Sequence, residues 1–359
     1  MSTLTIDAAA ARALPVAAKV GDDKAMLRAA AELTRDLIAP RPGLYWLDLG
    51  GSAALGYLAL VGATMLPGAL AWVAGVVAVL ALYRAMSFIH EISHLKHAGP
   101  MRGFRRGFDA LVGVPMLIPS FMYEGVHNLH HAKTRYGTSQ DPEYLPLALM
   151  KPWTLPVFVA VSALAPLGLL IRYGVLAPLS VVVPGLRRAV VERYSALAIN
   201  PGFRRRAPEG EAKRHWDRLE TACALWAMTL IALVATGTLP FRAFAIGFAI
   251  ASLVAVINQV RTLVAHLWEN DGEPMSVTAQ YLDSVNVPPP ALLPMLWAPV
   301  GLRYHALHHL LPGLPYHALG EAHRRLTAAL EAGSPFHQAS YAGLPHLVAK
   351  IGRSTLGLR

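Results

Sequence analysis

The sequence predicts an all-α integral membrane protein with four transmembrane helices in two hairpins, re-entrant or interfacial helices, and a cytoplasmic histidine-rich cap. Three observations carry this. The 359 residues are 54% hydrophobic and only 15% charged, with a mean hydropathy of +0.40, too apolar for an ordinary soluble domain. Four stretches, around 44–66, 68–88, 219–238 and 241–264, supply the roughly 20 apolar residues that a bilayer core requires. The basic residues cluster in loops beside those stretches instead of along one soluble face.

The alanine-rich opening carries Asp7 and Arg12 and has no compact apolar core before a cleavage site, so a secretory signal is not expected and the N-terminus is placed inside. Residues 1–43 read as a cytoplasmic leader and 44–359 as the membrane domain. Within the leader, "KAMLRAAAELTRDLIA" sets Leu27, Leu33, Leu37 and Ile38 among charges at near-helical spacing, which suits a short helix on the membrane surface. Cys223 is the single cysteine, which excludes an internal disulfide, a Cys-ligated zinc site and an iron–sulfur cluster in this chain. Positive-inside topology accounts for the net charge of +10 without nucleic acid as a partner.

The first hairpin turns at the uncharged "PGAL" and returns His90 to the edge bearing Arg84, Lys96, Arg102, Arg105 and Arg106. The stretch 110–122, "ALVGVPMLIPSFM", is too short to cross and holds two prolines, so it is expected to be re-entrant or interfacial. Residues 153–185 are long enough to span but are interrupted by prolines and by Arg172, whose charge is costly at bilayer depth. A shallow hairpin that dips and returns is the expectation there. The arginine-rich 186–218 is assigned to the cytoplasm, and the second hairpin brings His266 and the C-terminal region back to it.

Nine of the 15 histidines form a pattern. His90 and His94 are spaced i, i+4; His127, His130 and His131 form HNLHH; His305, His308 and His309 form HALHH; His266 ends the fourth span. On a helix i, i+3 and i+4 share a face, so each cluster can aim several imidazoles at one place. Chance predicts on the order of 0.03 HxxHH patterns in such a chain, and two occur. His90-Glu91-Ile92-Ser93-His94 alone would fit an HExxH zinc protease with Glu91 as base, but a catalytic zinc needs only three protein ligands. The surplus fits two metal ions instead. "NDG" at 270–272 lies in a loop and not in a membrane helix, unlike a protease aspartate motif.

The order H-x3-H, HxxHH, HxxHH after paired spans resembles the histidine boxes of the membrane fatty acid desaturase superfamily, which includes desaturases, hydroxylases and ketolases. "HHAKTRYGTSQDPEYLPL", "APLSVVVPGLRR" and "RTLVAHLWEN" look like segments of its bacterial members. The resemblance implies a four-span fold in a bacterial inner membrane and a non-haem pair of iron ions facing the cytoplasm. It also implies dioxygen as co-substrate, a lipid or fatty acyl substrate, and electrons from a separate ferredoxin-like or cytochrome-type donor. The implied ligands are His90, His94, His127, His130, His131, His305, His308, His309 and His266. Thr262 stands where members of known structure often carry asparagine.

Desaturation of an acyl chain is the leading expectation, with hydroxylation or ketolation at the same site as the alternative and the zinc protease behind them. A transmembrane haem protein or a proton relay using histidine pairs is a further, non-enzymatic alternative, although haem ligands usually come singly from facing helices. His97 is expected in solvent and Glu91 beside a histidine, while Asp141 is read first as a turn residue. Asn258, Gln259 and Arg261 either line the site or meet a donor. His215, His323, His337 and His346 are expected at the surface, and Trp46, Trp153 and Trp268 as interface anchors.

Overall fold

In the computed structural model, residues 20–95 and 99–358 are described, so His97 and the opening with Asp7 and Arg12 lie outside them. The described residues are helical with no strands, only isolated bridges. Helix α1 (Lys24–Leu33) begins at Asp23, whose side chain accepts from Met26 N, a local satisfaction of a free helix-start donor. Its apolar stripe is covered by protein: Met26 and Ala30 are buried in one cluster with Leu307, Leu319 and Leu326.

Helices α2 (Pro42–Met65) and α3 (Gly68–His94) form the first hairpin. They approach closely at Gly56, where a Cβ would lie 2.7 Å from the Leu82 side chain. Polar groups near the histidine-bearing end are paired across the hairpin: Arg84 grips Asp48 through Nε and Nη2 at 2.6 and 2.5 Å. The 110–122 stretch, expected to be re-entrant or interfacial, packs against two of the long helices: Tyr57 Oη donates to Leu111 O and Trp226 Nε1 to Pro115 O. It is closed by Asp109, which accepts from Ser120 N at 2.7 Å and Ser120 Oγ at 2.9 Å. This delivers the short helix α4 (His127–His130) to the end of α3.

Among the described residues five helices, not four, are long and apolar enough to cross a membrane, and the addition is α5 (Thr154–Ser180). The proline-rich stretch expected to fold as a shallow hairpin is one helical run. Pro166 and Pro178 sit in the first turns of successive pieces, where a missing N–H costs nothing, and a π turn at Arg172–Leu176 takes up the mismatch. Arg172 does not break it because Glu220 Oε1 receives its Nη2 at 2.5 Å and Ser195 Oγ lies at 2.7 Å. The chain flanking this run is nevertheless tied to the histidine-bearing end on both sides, through Ala148 N to Trp268 O and Ile199 N to Pro142 O. Helices α6 (Gly210–Ala235) and α7 (Phe241–Leu263) follow in sequence, but in place of the close hairpin expected between them both pack on α5, and α7 also packs on α2 and α3, setting Ile250 and Val254 into the cluster that those two build. Beyond it lie α8 (Pro294–Trp297), α9 (His305–Leu310) and α10 (Leu319–Ala329), the last packing against α1.

Candidate metal centre

The final turn of α3 stacks His90 over His94, and α4 and α9 each present their HxxHH face toward it. Helix α9 has no cap from its own N-terminus; Leu307 N is instead satisfied at 3.0 Å by Oδ1 of fully buried Asn286, a distant residue that fixes where the helix starts. His266 follows α7 in an extended stretch bridged to Ser284.

Eight of the nine predicted histidines gather into two groups of four: His90, His94, His127 and His308, and His130, His266, His305 and His309. Within each group one ligand nitrogen from every ring lies within 4.8 Å of the others. His131 stands between them, its Nε2 at 3.0 Å from His127 Nε2 and 3.1 Å from His308 Nε2, and its ring 4.3 Å from that of His309. In the second group His305 Nε2 lies 3.0 Å from His266 Nε2 and 3.2 Å from His309 Nε2. Two nitrogens bound at about 2.1 Å and right angles to one ion are about 3.0 Å apart, so these spacings suit shared coordination.

The nitrogen accounting also fits metal. Both ring nitrogens of His90 and Nε2 of His94 are buried without a hydrogen-bond partner among the described residues, as are Nδ1 of His305 and His309. Buried polar atoms are normally satisfied, and a cation would satisfy those that face it. Burial, reinforced by neighbouring imidazoles, holds His127, His131, His266, His305, His308 and His309 well below the ordinary histidine range. Neutral rings are the form that ligates.

Opposite the convergent nitrogens, protein groups hold the other side of three rings. His127 Nδ1 lies 2.8 Å from Glu143 Oε1, and His130 Nδ1 lies 2.9 Å from Asp141 Oδ2. For His130, burial pulls the proton affinity down but the Asp141 carboxylate outweighs it; a proton on Nδ1 facing that carboxylate leaves Nε2 for a metal. Asp141 also keeps its turn role, accepting from Gly137 N and Glu143 N. His266 Nδ1 meets Tyr136 Oη at 2.9 Å and Ser284 Oγ at 3.2 Å, and Tyr136 donates to Asp283 at 2.8 Å. Burial lifts both Glu143 and Asp283 to about 7, so a bound cation that favours their ionised forms would be taken up with proton release. Such outer partners orient ligand rings and are worth 10- to 100-fold in metal affinity. Asp141→Asn is therefore expected to weaken metal retention by about that factor, read as metal per chain after graded chelator treatment.

Several expectations are corrected. Among the described residues Glu91 hydrogen-bonds no histidine: it accepts from Tyr45 Oη at 2.5 Å and Tyr316 N at 3.2 Å. It therefore ties α3 to α2 and to the segment after α9. Trp268 is no interface anchor but a fully buried wall 5.0 Å from the His266 ring, held with φ 63° and donating Nε1 to Leu263 O. His323 is buried between Tyr304 and Phe336 and not at the surface. His215 lies 3.9 Å from Asp109 and 3.8 Å from Glu124. Thr262 donates its hydroxyl to Asn258 O, one turn back on its own helix. Asp271 of the NDG loop is exposed. Nothing local in the sequence marks Glu143, Tyr136 or Asp283, since the carboxylate lies 16 residues from the ring it holds and the tyrosine 130 residues away.

Residues 37–340 match the family model described as fatty acid desaturase. The chain is 50% identical over 330 residues to a ceramide hydroxylase of Caulobacter vibrioides (strain NA1000 / CB15N), covering 91% of this chain and 93% of that protein. No solved structure matches the chain.

Proposed function

This chain belongs to the fatty acid desaturase family, and from that premise we propose that it is a ceramide-type lipid hydroxylase working at two irons. It is an integral membrane, lipid-modifying oxidoreductase; the finer reading departs from the order of expectations in the sequence, where desaturation came first. What favours oxygen insertion is the 50% identity to a ceramide hydroxylase along almost the full length of both chains. The reaction balances as a lipid C–H bond, dioxygen, two electrons and two protons giving a C–OH group and one water. Desaturation would give an alkene and two waters.

The residues that would hold the irons are His90, His94, His127, His131 and His308 on one side and His130, His266, His305 and His309 on the other. Two irons held there would supply the dioxygen-derived oxidant that an unactivated C–H bond demands and no side-chain acid or base provides. The protein's own part is positioning. Glu143, Asp141 and the Tyr136–Asp283 pair fix the Nδ1 sides of three rings and so aim their Nε2 atoms inward. Burial of the ligand rings keeps water away from the reacting carbon. Electrons come from a separate ferredoxin-like or cytochrome-type protein, attracted by the arginines around 186–218. The same basic loops support a bacterial inner-membrane location with the metal centre on the cytoplasmic side.

Lipid extracts from a heterologous host expressing the protein test this directly: ceramides should gain the mass of one oxygen. A loss of two hydrogens instead would restore the desaturase reading. The protease reading has its own check, because a general base must reach the proton it abstracts and Glu91 is committed to Tyr45 and Tyr316. Glu91→Gln keeps both contacts possible and is expected to hold product formation within about tenfold of wild type, whereas an HExxH hydrolase loses its base entirely.

A further inference from the structure

The last turn of α7 carries a buried cation that the metal centre does not need. Arg261 is only 9% exposed, and its Nε has no hydrogen-bond partner among the described residues. No carboxylate forms an ion pair with it among them. Its charge still bears on His266 and His305 in one group and on Tyr123 and Glu143 beside the other. Burying a guanidinium that has no carboxylate partner among the described residues, and whose Nε finds no acceptor among them, is costly beside sites that would hold metal cations, through desolvation and like-charge repulsion. A fold that keeps one there has a use for it.

Its surroundings indicate which. The Tyr83 hydroxyl lies beside the guanidinium and donates to Trp297 O at 2.8 Å. Tyr83 precedes His90 by seven residues on α3, about 10 Å of helix rise, toward the interior of the bilayer. Trp297 closes α8, so this element sits at bilayer depth, packed against α3 and α7. There Leu292, Leu293, Met295 and Leu296 are 75%, 70%, 61% and 49% exposed. At that depth the medium covering them is lipid, as it is for the exposed Val76 of α3 and Leu253 of α7. Arg303 fastens the segment by donating to Val287 O and Ala291 O.

The geometry points to a lateral entrance for the lipid substrate at α8, with Arg261 as its polar anchor. The α8 leucines form the bilayer-side wall, and the guanidinium donates to a neutral oxygen of the lipid, a hydroxyl or an amide carbonyl. The anchor holds the chain while its carbon is presented to the metal centre. This deepens the hydroxylase reading and rests on it only in taking the substrate from the bilayer.

Binding of an N-acylsphinganine to purified, metal-loaded protein in mixed micelles is the test, with metal content measured on the same samples. Arg261→Gln is expected to keep wild-type metal and bind about 10- to 100-fold more weakly, the loss typical of one charged hydrogen bond, with Arg261→Lys in between. Equal binding by wild type and Arg261→Gln overturns the anchor. So does metal loss in Arg261→Gln accompanied by unimpaired binding in Arg261→Lys, which would make the residue structural. Tighter, Arg261-dependent binding of phosphatidic acid than of the ceramide overturns the neutral-oxygen assignment. A fluorophore on Leu293→Cys should be quenched by brominated acyl chains; quenching by aqueous iodide alone removes the entrance. Wild-type protein that binds the ceramide in this manner yet adds no oxygen sinks the hydroxylase reading and leaves the anchor standing.

Discussion

His309→Ala protein, purified from the membrane, is expected to carry about one metal per chain where the wild type carries two, and to lose more than about 100-fold in product formation. That exceeds the 10- to 100-fold typical of losing an outer partner of a ligand, because the imidazole itself is removed from a group of four. His94→Ala should do the same to the other group. Elemental analysis and product mass spectrometry on the same samples check both. His346→Ala, whose exposed ring packs near Tyr341 and belongs to neither group, serves as the control. Two metals retained in either site variant would show that the convergence of nitrogens is structural packing.

The second large effect concerns stability. Glu220 receives Arg172 and Arg187 at 2.5 Å each, and the Arg172 side chain is only 3% exposed. Glu220→Leu leaves that guanidinium buried without its counter-charge, and removing one partner of a buried pair costs about 3–5 kcal/mol. Thermal unfolding in detergent should show a lowered midpoint. The double variant Arg172→Met with Glu220→Leu should recover most of the loss, since two apolar groups of similar volume leave no charge uncompensated. A single variant as stable as wild type would mean that water already reaches Arg172.

How far these features could be read from the sequence depends on how local their causes are. The histidine faces were legible because i, i+3 and i+4 spacing is a property of one helical turn. That 110–122 is not a spanning helix was legible because a thirteen-residue stretch with two prolines is too short to cross. The course of 153–185 was misread because the charge that permits a continuous helix, Glu220, comes 48 residues after Arg172. Similarly, Glu91 looked like a histidine partner until Tyr45 and Tyr316, 46 and 225 residues away, claimed its carboxylate. The outer shell of Glu143, Tyr136 and Asp283 was invisible for the same reason. Trp268 sits next to a span end as an anchor would, and only its left-handed backbone turns it inward.

Both metal groups draw on α9, one through His308 and the other through His305 and His309, while their remaining ligands come from segments made much earlier. Neither pocket can close while the ribosome is still translating the region before residue 305. The spans that precede α9 are therefore made before either group of histidines is complete, and a metal bound there would be taken up by a chain already embedded in the bilayer.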